Sequence, residues 1–136
     1  MGFSEVPHVG VVLVGHGETA SNLLSAAQKI LGEDALADVI AVDAGVGKTP
    51  ALSAQMFESI TQAEHGAGVL LMVDLLGASP CTCGMQEALG HKLAVLSGLN
   101  LAMLLKLATL DRNQLSPTAL ATACAETGVK SVRVSP

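Results

Sequence analysis

The chain has 136 residues and a mass of 13.7 kDa, room for one compact domain built round one core. Half of it is apolar, at a mean hydropathy of +0.53. Its longest apolar runs, "GVLLMVDLLGA" and "LNLAMLLKLATL", are broken by Asp74 and Lys106, and both fall short of the ~18–20 residues a membrane span needs. A formal charge of −5, two arginines (Arg112, Arg133) and two aromatic rings (Phe3, Phe57) exclude a nucleic-acid binder, which needs cations for phosphates and rings for stacking.

Residues 1–7 are expected to form a flexible extension ahead of a single domain spanning 1–136. "MGFSEVPHVG" has no basic start, apolar run or cleavage site of a secretory signal. Cys81, Cys83 and Cys124 make no even-numbered disulfide framework, so the expected compartment is reducing and cytoplasmic.

The first strand is "HVGVVLVG" (8–15), followed by a helix with Leu23, Leu24, Ala27, Ile30 and Leu31 at helical spacing, stopped near Gly32. "DVIAVD" (38–43) is the second strand. A helix follows from about Pro50 to Ala63, with Thr49 as its cap. "GAGVLLMVD" (66–74) is apolar on both faces, as a central parallel strand covered by helices should be. It leads through "LLGASP" into a helix from Pro80 to about Leu89. "KLAVLSG" (92–98) is the fourth strand. Asn100 caps the next helix, and Ser116 with Pro117 opens the last, expected to end at Gly128. The alternating tail "VKSVRVS" (129–135) predicts a short C-terminal edge strand. Strands alternating with helices indicate an α/β fold: an open, mostly parallel sheet flanked by helices on both faces.

His16 falls where the first strand passes into the first helix, at the carboxyl rim where open α/β sheets bind ligands. Gly15 and Gly17 leave the imidazole exposed, and the helix N-terminus beyond it favours an anion. Asp74 closes the third strand and shares that rim if the two strands are neighbours. A carboxylate there fixes the histidine tautomer and leaves the other ring nitrogen as nucleophile; alone, it could equally cap the following turn. Ser79 before Pro80, with Gly77 and the backbone amides of "GASP", forms an anion-accepting nest, although simple capping needs the same residues.

Three other motifs have weaker chemistry. "GVGKT" (45–49) lacks the first glycine of a Walker A loop, since Val42 stands there, so Lys48 is expected to be solvated. "CTC" (81–83) points its thiols to different helix faces and completes no zinc site, and no metal is expected. His8, His65 and His91 have no evident partners, and Met56, Met72, Met85 and Met103 read as core fillers.

"VGHGET" resembles the "RHGET" signature of histidine phosphatases and phosphoglycerate mutases, but Gly15 replaces its substrate-binding arginine. The ordered set "GHGETASNLL", "VDLLGASP" and "LSGLNLAMLL" resembles the mannose-family EIIA domain of the bacterial phosphoenolpyruvate:sugar phosphotransferase system (PTS), over Val9 to about Val134. That resemblance implies a phosphoryl carrier needing no cofactor: His16 is phosphorylated on Nε2, Asp74 holds its other nitrogen, and Ser79, Gly77 and Gly17 hold the phosphoryl group. It implies the carrier protein HPr as donor, an EIIB domain as acceptor, a homodimer joined through the C-terminal strand, and contact with the membrane only through a permease complex. Ala78, Leu75, Leu76 and Cys81 depart from the family's usual residues. Two alternatives stand beside it, a small histidine-phosphatase-like enzyme and an EIIA sensor module of a transcription activator.

Overall fold

Along β1 (His8–Gly15), Val9, Val11 and Leu13 point to one layer and Val12 and Val14 to the other, all fully buried. β3 (Gly66–Val73) repeats this, with Leu70 and Met72 on the first side and Val69, Leu71 and Val73 on the second. Two apolar faces require two covering layers, which is why these strands lie centrally. The computed structural model describes residues 6–45, 50–75 and 92–136. Among the described residues β2 (Ile40–Asp43) and β4 (Leu93–Leu96) flank the central pair in a four-stranded, all-parallel sheet of order β2-β1-β3-β4.

Helices α1 (Thr19–Leu31), α3 (Leu101–Leu107) and α4 (Pro117–Lys130) bring Ala27, Leu104, Leu107, Leu120 and Cys124 against the first face. Helix α2 (Pro50–Ala63) covers the second with Leu52, Met56 and Ile60. The expected α/β sheet with helices on both faces is therefore the architecture found. Asn100 and Ser116 cap as expected, accepting from the amides of Met103 (3.0 Å) and Ala119 (3.1 Å). The expected cap Thr49, Lys48, the helix at 80–89, Met85, His91, Cys81 and Cys83 lie outside the described residues.

The C-terminal expectations need correction. Gly128 does not stop the last helix, which runs on to Lys130. A Cβ at Gly128 would stand 2.6 Å from Met103 Cε, so this glycine lets α4 approach α3 rather than turn the chain. Residues 132–136 form no strand. Alternation gives a strand two distinct faces, but a strand also needs a backbone partner, and the tail pairs with none of the described strands.

His8 and His65 also differ from expectation, because they have partners. Their rings stack with centroids 4.4 Å apart, and His8 Nε2 lies 3.7 Å from Asp38, which Arg112 pairs with. Arg112 also donates to the Val9 carbonyl at 3.1 Å, tying the connection after α3 to the start of β1.

Candidate functional site

The site begins with strand register. Val14 of β1 pairs with Val73 of β3, so the next residues, Gly15 and Asp74, stand side by side at the carboxyl rim. Gly15 also pairs with Asp43 at the end of β2. A glycine therefore sits between two aspartates on the face that α1 covers. The gap is needed: a Cβ on Gly15 would lie 3.0 Å from Thr19 Cβ, 3.2 Å from the Ala20 nitrogen and 3.5 Å from Asp74 Oδ2.

His16 follows immediately, and Asp74 grips it twice. The backbone N–H of His16 donates to Oδ2 at 2.8 Å, and ring Nδ1 lies 3.1 Å from the same oxygen and 3.3 Å from Oδ1. The Leu75 N–H donates to Oδ1 at 2.8 Å, so Asp74 bonds both the following turn and the histidine. Partial burial pushes this carboxyl upward, but the backbone N–H of His16, its ring and the Leu75 N–H together outweigh burial and hold it below the usual carboxylate range. An ionised carboxylate only accepts, so the neutral imidazole that bonds it is the tautomer with its proton on Nδ1 and its lone pair on Nε2. No described residue bonds to Nε2, and the His16 side chain is 36% exposed against 17% for Asp74.

The loop from His16 to Glu18 is braced from below. Gly17 takes φ +56°, a left-handed conformation suited to glycine, and donates its N–H to the Gly45 carbonyl at 2.9 Å. Its amide is thus already committed, and its contribution to the rim is the turn and the clearance. Ala44 donates to the Gly15 carbonyl at 2.8 Å, so the segment after β2 does lie on this rim. Ser79 and Gly77 lie outside the described residues, as does Val46 to Thr49 of the Walker-like stretch.

At the start of α1 two of the amides the helix leaves free are already bonded within the chain. Thr19 N–H donates to His16 O, Ser21 N–H to Asp43 Oδ1 and Asn22 N–H to Glu18 O. The Asp43 carboxylate, which also accepts from the Ser21 hydroxyl, puts an internal negative charge at this helix start. Asp43 was missed in the sequence because its partner is 22 residues away. Its one legible signal was its place at a strand end level with Gly15.

No group of three or more histidine, cysteine or acidic side chains with metal-binding geometry occurs among the described residues. None of their helices is long and apolar enough to cross a membrane.

A family profile named EIIA-man, described as "PTS system fructose IIA component", matches residues 10–124. The chain belongs to this family. A mannose/sorbose-specific IIA subunit of the phosphotransferase system from Enterococcus faecalis is similar in structure, with a TM-score of 0.79, 27% identity and coverage of 95% of this chain and 96% of that one. A phosphotransferase system component EIIA from Streptococcus agalactiae shares the fold at TM-score 0.74 and 22% identity, over 93% and 96% of the two chains. The transcriptional regulatory protein LevR of Bacillus subtilis is 28% identical over 103 residues, 74% of this chain. The match spans only 11% of LevR's own length.

Proposed function

We propose that this EIIA-man domain is a cytoplasmic phosphoryl carrier that accepts a phosphoryl group from phosphorylated HPr on Nε2 of His16. It then passes the group to an EIIB-type domain. The observation carrying this reading is the 3.1 Å contact of His16 Nδ1 with Asp74, which supports the neutral tautomer whose lone pair is on Nε2, on a side chain 36% exposed.

In the proposed step Nε2 attacks phosphorus in line as the P–N bond to the donor imidazole breaks, and that electron pair returns to the donor ring. No proton need move at His16, because Nδ1 keeps its own. The His16 ring then carries positive charge, and its bond to Asp74 becomes charge-assisted and stronger. Asp74 thereby favours the phosphorylated state without touching the phosphoryl group. Ser79 and Gly77 are proposed to hold the phosphoryl oxygens, with Gly17 keeping the approach clear. Leu75, 61% exposed beside Asp74, offers an apolar contact for the docking protein. Membrane contact, in this reading, comes only through a permease complex.

A homodimer is part of the proposal. β4 lies at an edge of the described sheet, and a groove of about 400 Å³ runs between it and α4, lined by Val95, Thr118, Ala121, Thr122 and Ala125. The tail that forms no strand within one chain exposes Val132 and Val134, and pairing with a second copy's β4 would supply the partner it lacks.

The similarity to a stretch of LevR supports a second reading, in which the same phosphorylation serves a regulatory protein rather than sugar uptake. Both share the first step, which intact mass tests after incubation with phosphoenolpyruvate, Enzyme I and HPr. One acid-labile phosphoryl group, dependent on HPr and absent from His16→Ala, is the expected result. No transfer, with hydrolysis of small phosphoesters instead, would reject the carrier reading in favour of a histidine-phosphatase-like enzyme.

A further inference from the structure

We infer that Asp43 is a positioning residue for His16, acting through the first turn of α1. Its kinetic consequence rests on the carrier reading above; its structural consequence does not.

The chain of contacts is continuous. Asp43 Oδ1 accepts from Ser21 N–H at 3.0 Å, and Oδ2 accepts from the Ser21 hydroxyl. Ser21 is the third residue of α1, where an N-cap side chain would normally bond, but the capping residue Glu18 makes no side-chain bond of that kind. The cap is supplied instead from the neighbouring strand. Within the same turn Thr19 donates to the His16 carbonyl twice, from its hydroxyl at 2.7 Å and its N–H at 3.1 Å. The His16 backbone is therefore held on its carbonyl side by a turn that Asp43 anchors, and on its amide side by Asp74. The ring contact at 3.1 Å depends on both, since tilting the backbone between them swings Nδ1 away from Oδ2.

Register makes the brace rigid. Asp43 pairs with Gly15, and the next two residues, Ala44 and Gly45, bond to Gly15 and Gly17. Three consecutive residues of the β2 end thus hold both flanks of His16, and only Asp43 does so with its side chain.

The test compares Asp43→Ala, Asp43→Asn and Ser21→Ala with wild type in two assays. In histidine-selective ¹H–¹⁵N spectra of the unphosphorylated protein, wild type and Asp43→Asn are expected to show His16 with its proton on Nδ1. Asn retains an oxygen for the Ser21 amide. Asp43→Ala is expected to show mixed tautomers, and Ser21→Ala an intermediate shift. In transfer from phospho-HPr, Asp43→Ala is expected to lower kcat about tenfold with little change in KM, because orientation rather than docking is lost. Asp43→Asn should stay near wild type.

A wild-type tautomer and rate in Asp43→Ala would overturn the inference. So would an asparagine variant as impaired as alanine, which would assign the effect to charge. If Asp43→Ala does not fold, the comparison of Asp43→Asn with Ser21→Ala decides, and equal spectra for those two and wild type reject the inference. If wild-type protein takes no phosphoryl group while the tautomer still shifts in Asp43→Ala, the carrier reading falls and the positioning role stands.

Discussion

Replacing Asp74 by asparagine keeps the volume and removes one acceptor and the charge. Three N–H groups converge on the two carboxylate oxygens: His16 backbone N–H at 2.8 Å, His16 Nδ1 at 3.1 Å and Leu75 N–H at 2.8 Å. An amide has one acceptor oxygen. Placed toward Leu75, it leaves an NH₂ facing both His16 donors; placed toward His16, it leaves the NH₂ facing the Leu75 N–H. Either way at least one donor meets a donor. An unsatisfied part-buried N–H costs roughly 1–3 kcal/mol, but the exposed Leu75 N–H can turn to water, so the folded state should lose only about 1 kcal/mol in urea unfolding at pH 7.

The functional loss should be larger than the stability loss. A hydrogen bond to a charged group contributes about 1 kcal/mol more than a neutral one, so the phosphorylated, cationic ring loses roughly five- to tenfold in relative population. Where the NH₂ faces Nδ1, the ring also turns to the tautomer protonated on Nε2, which blocks the nucleophile, and the transfer rate should fall about a hundredfold or more. The assay is the initial rate of phosphoryl transfer from phospho-HPr, followed by intact mass. A folded Asp74→Asn protein transferring within twofold of wild type would refute the reasoning, because it would mean that neither tautomer nor counter-charge matters at His16.

Gly10→Ala should cost about 3 kcal/mol or more in chemical unfolding, since the new Cβ would lie 1.7 Å from the Ala63 carbonyl oxygen and neither β1 nor the end of α2 can yield cheaply; a loss under about 1 kcal/mol would show the contact to be soft. Asp38, held low by its hydrogen bond from Arg112, and Asp74, held low by its bonds from His16 and Leu75 once burial is offset, both bind protons more weakly folded than unfolded. Their contribution is therefore complete above the unfolded carboxylate pKa of about 4 and is lost as pH falls through their folded values, so the urea midpoint should drop below pH 4. That drop should be smaller in Asp74→Asn, whereas Asp38→Asn should change it little because Asp38 is 41% exposed and screened. Cys124 is fully buried, and burial raises its thiol to about 11, so peptide mapping after iodoacetamide at pH 8 should find it unmodified in native protein and alkylated in urea.

Much of this was legible because it depended on local pattern. Continuous apolar, β-branched runs in "VVLVG" and "VLLMV" placed two strands with two buried faces, and Asn100 and Ser116 announced helix starts through side chains that bond three residues ahead. His16 and Asp74 were legible as a pair for a topological reason: both end strands, and parallel strands end on one rim. What escaped depends on tertiary neighbours. Asp43 reaches Ser21 across 22 residues, Arg112 reaches Asp38 across 74, and His8 meets His65 only because their strands start side by side. Gly128 was misread because a glycine near a helix end serves equally as a stop or as clearance for a neighbouring helix, and only the distance to Met103 separates the two. The tail was misread because periodicity predicts which faces a strand would have, not whether a partner exists.

Gly15 weighs between the two motif resemblances of the first strand. In "RHGET" the residue before the histidine is an arginine that must share the substrate's phosphate with it. Here a single added carbon at that position would already press on Thr19 at 3.0 Å and on the Ala20 nitrogen at 3.2 Å, with Asp74 Oδ2 at 3.5 Å. An arginine on this face would have to shift the start of α1, which lies 3.0 to 3.2 Å from the first carbon such a side chain adds. The Asp74 carboxylate stands at ordinary contact distance from that carbon, on the His16 ring that the same face presents. In the proposed carrier reading the phosphorylated ring needs that counter-charge behind it, and glycine at 15 goes with the arrangement because α1 begins where a side chain would stand.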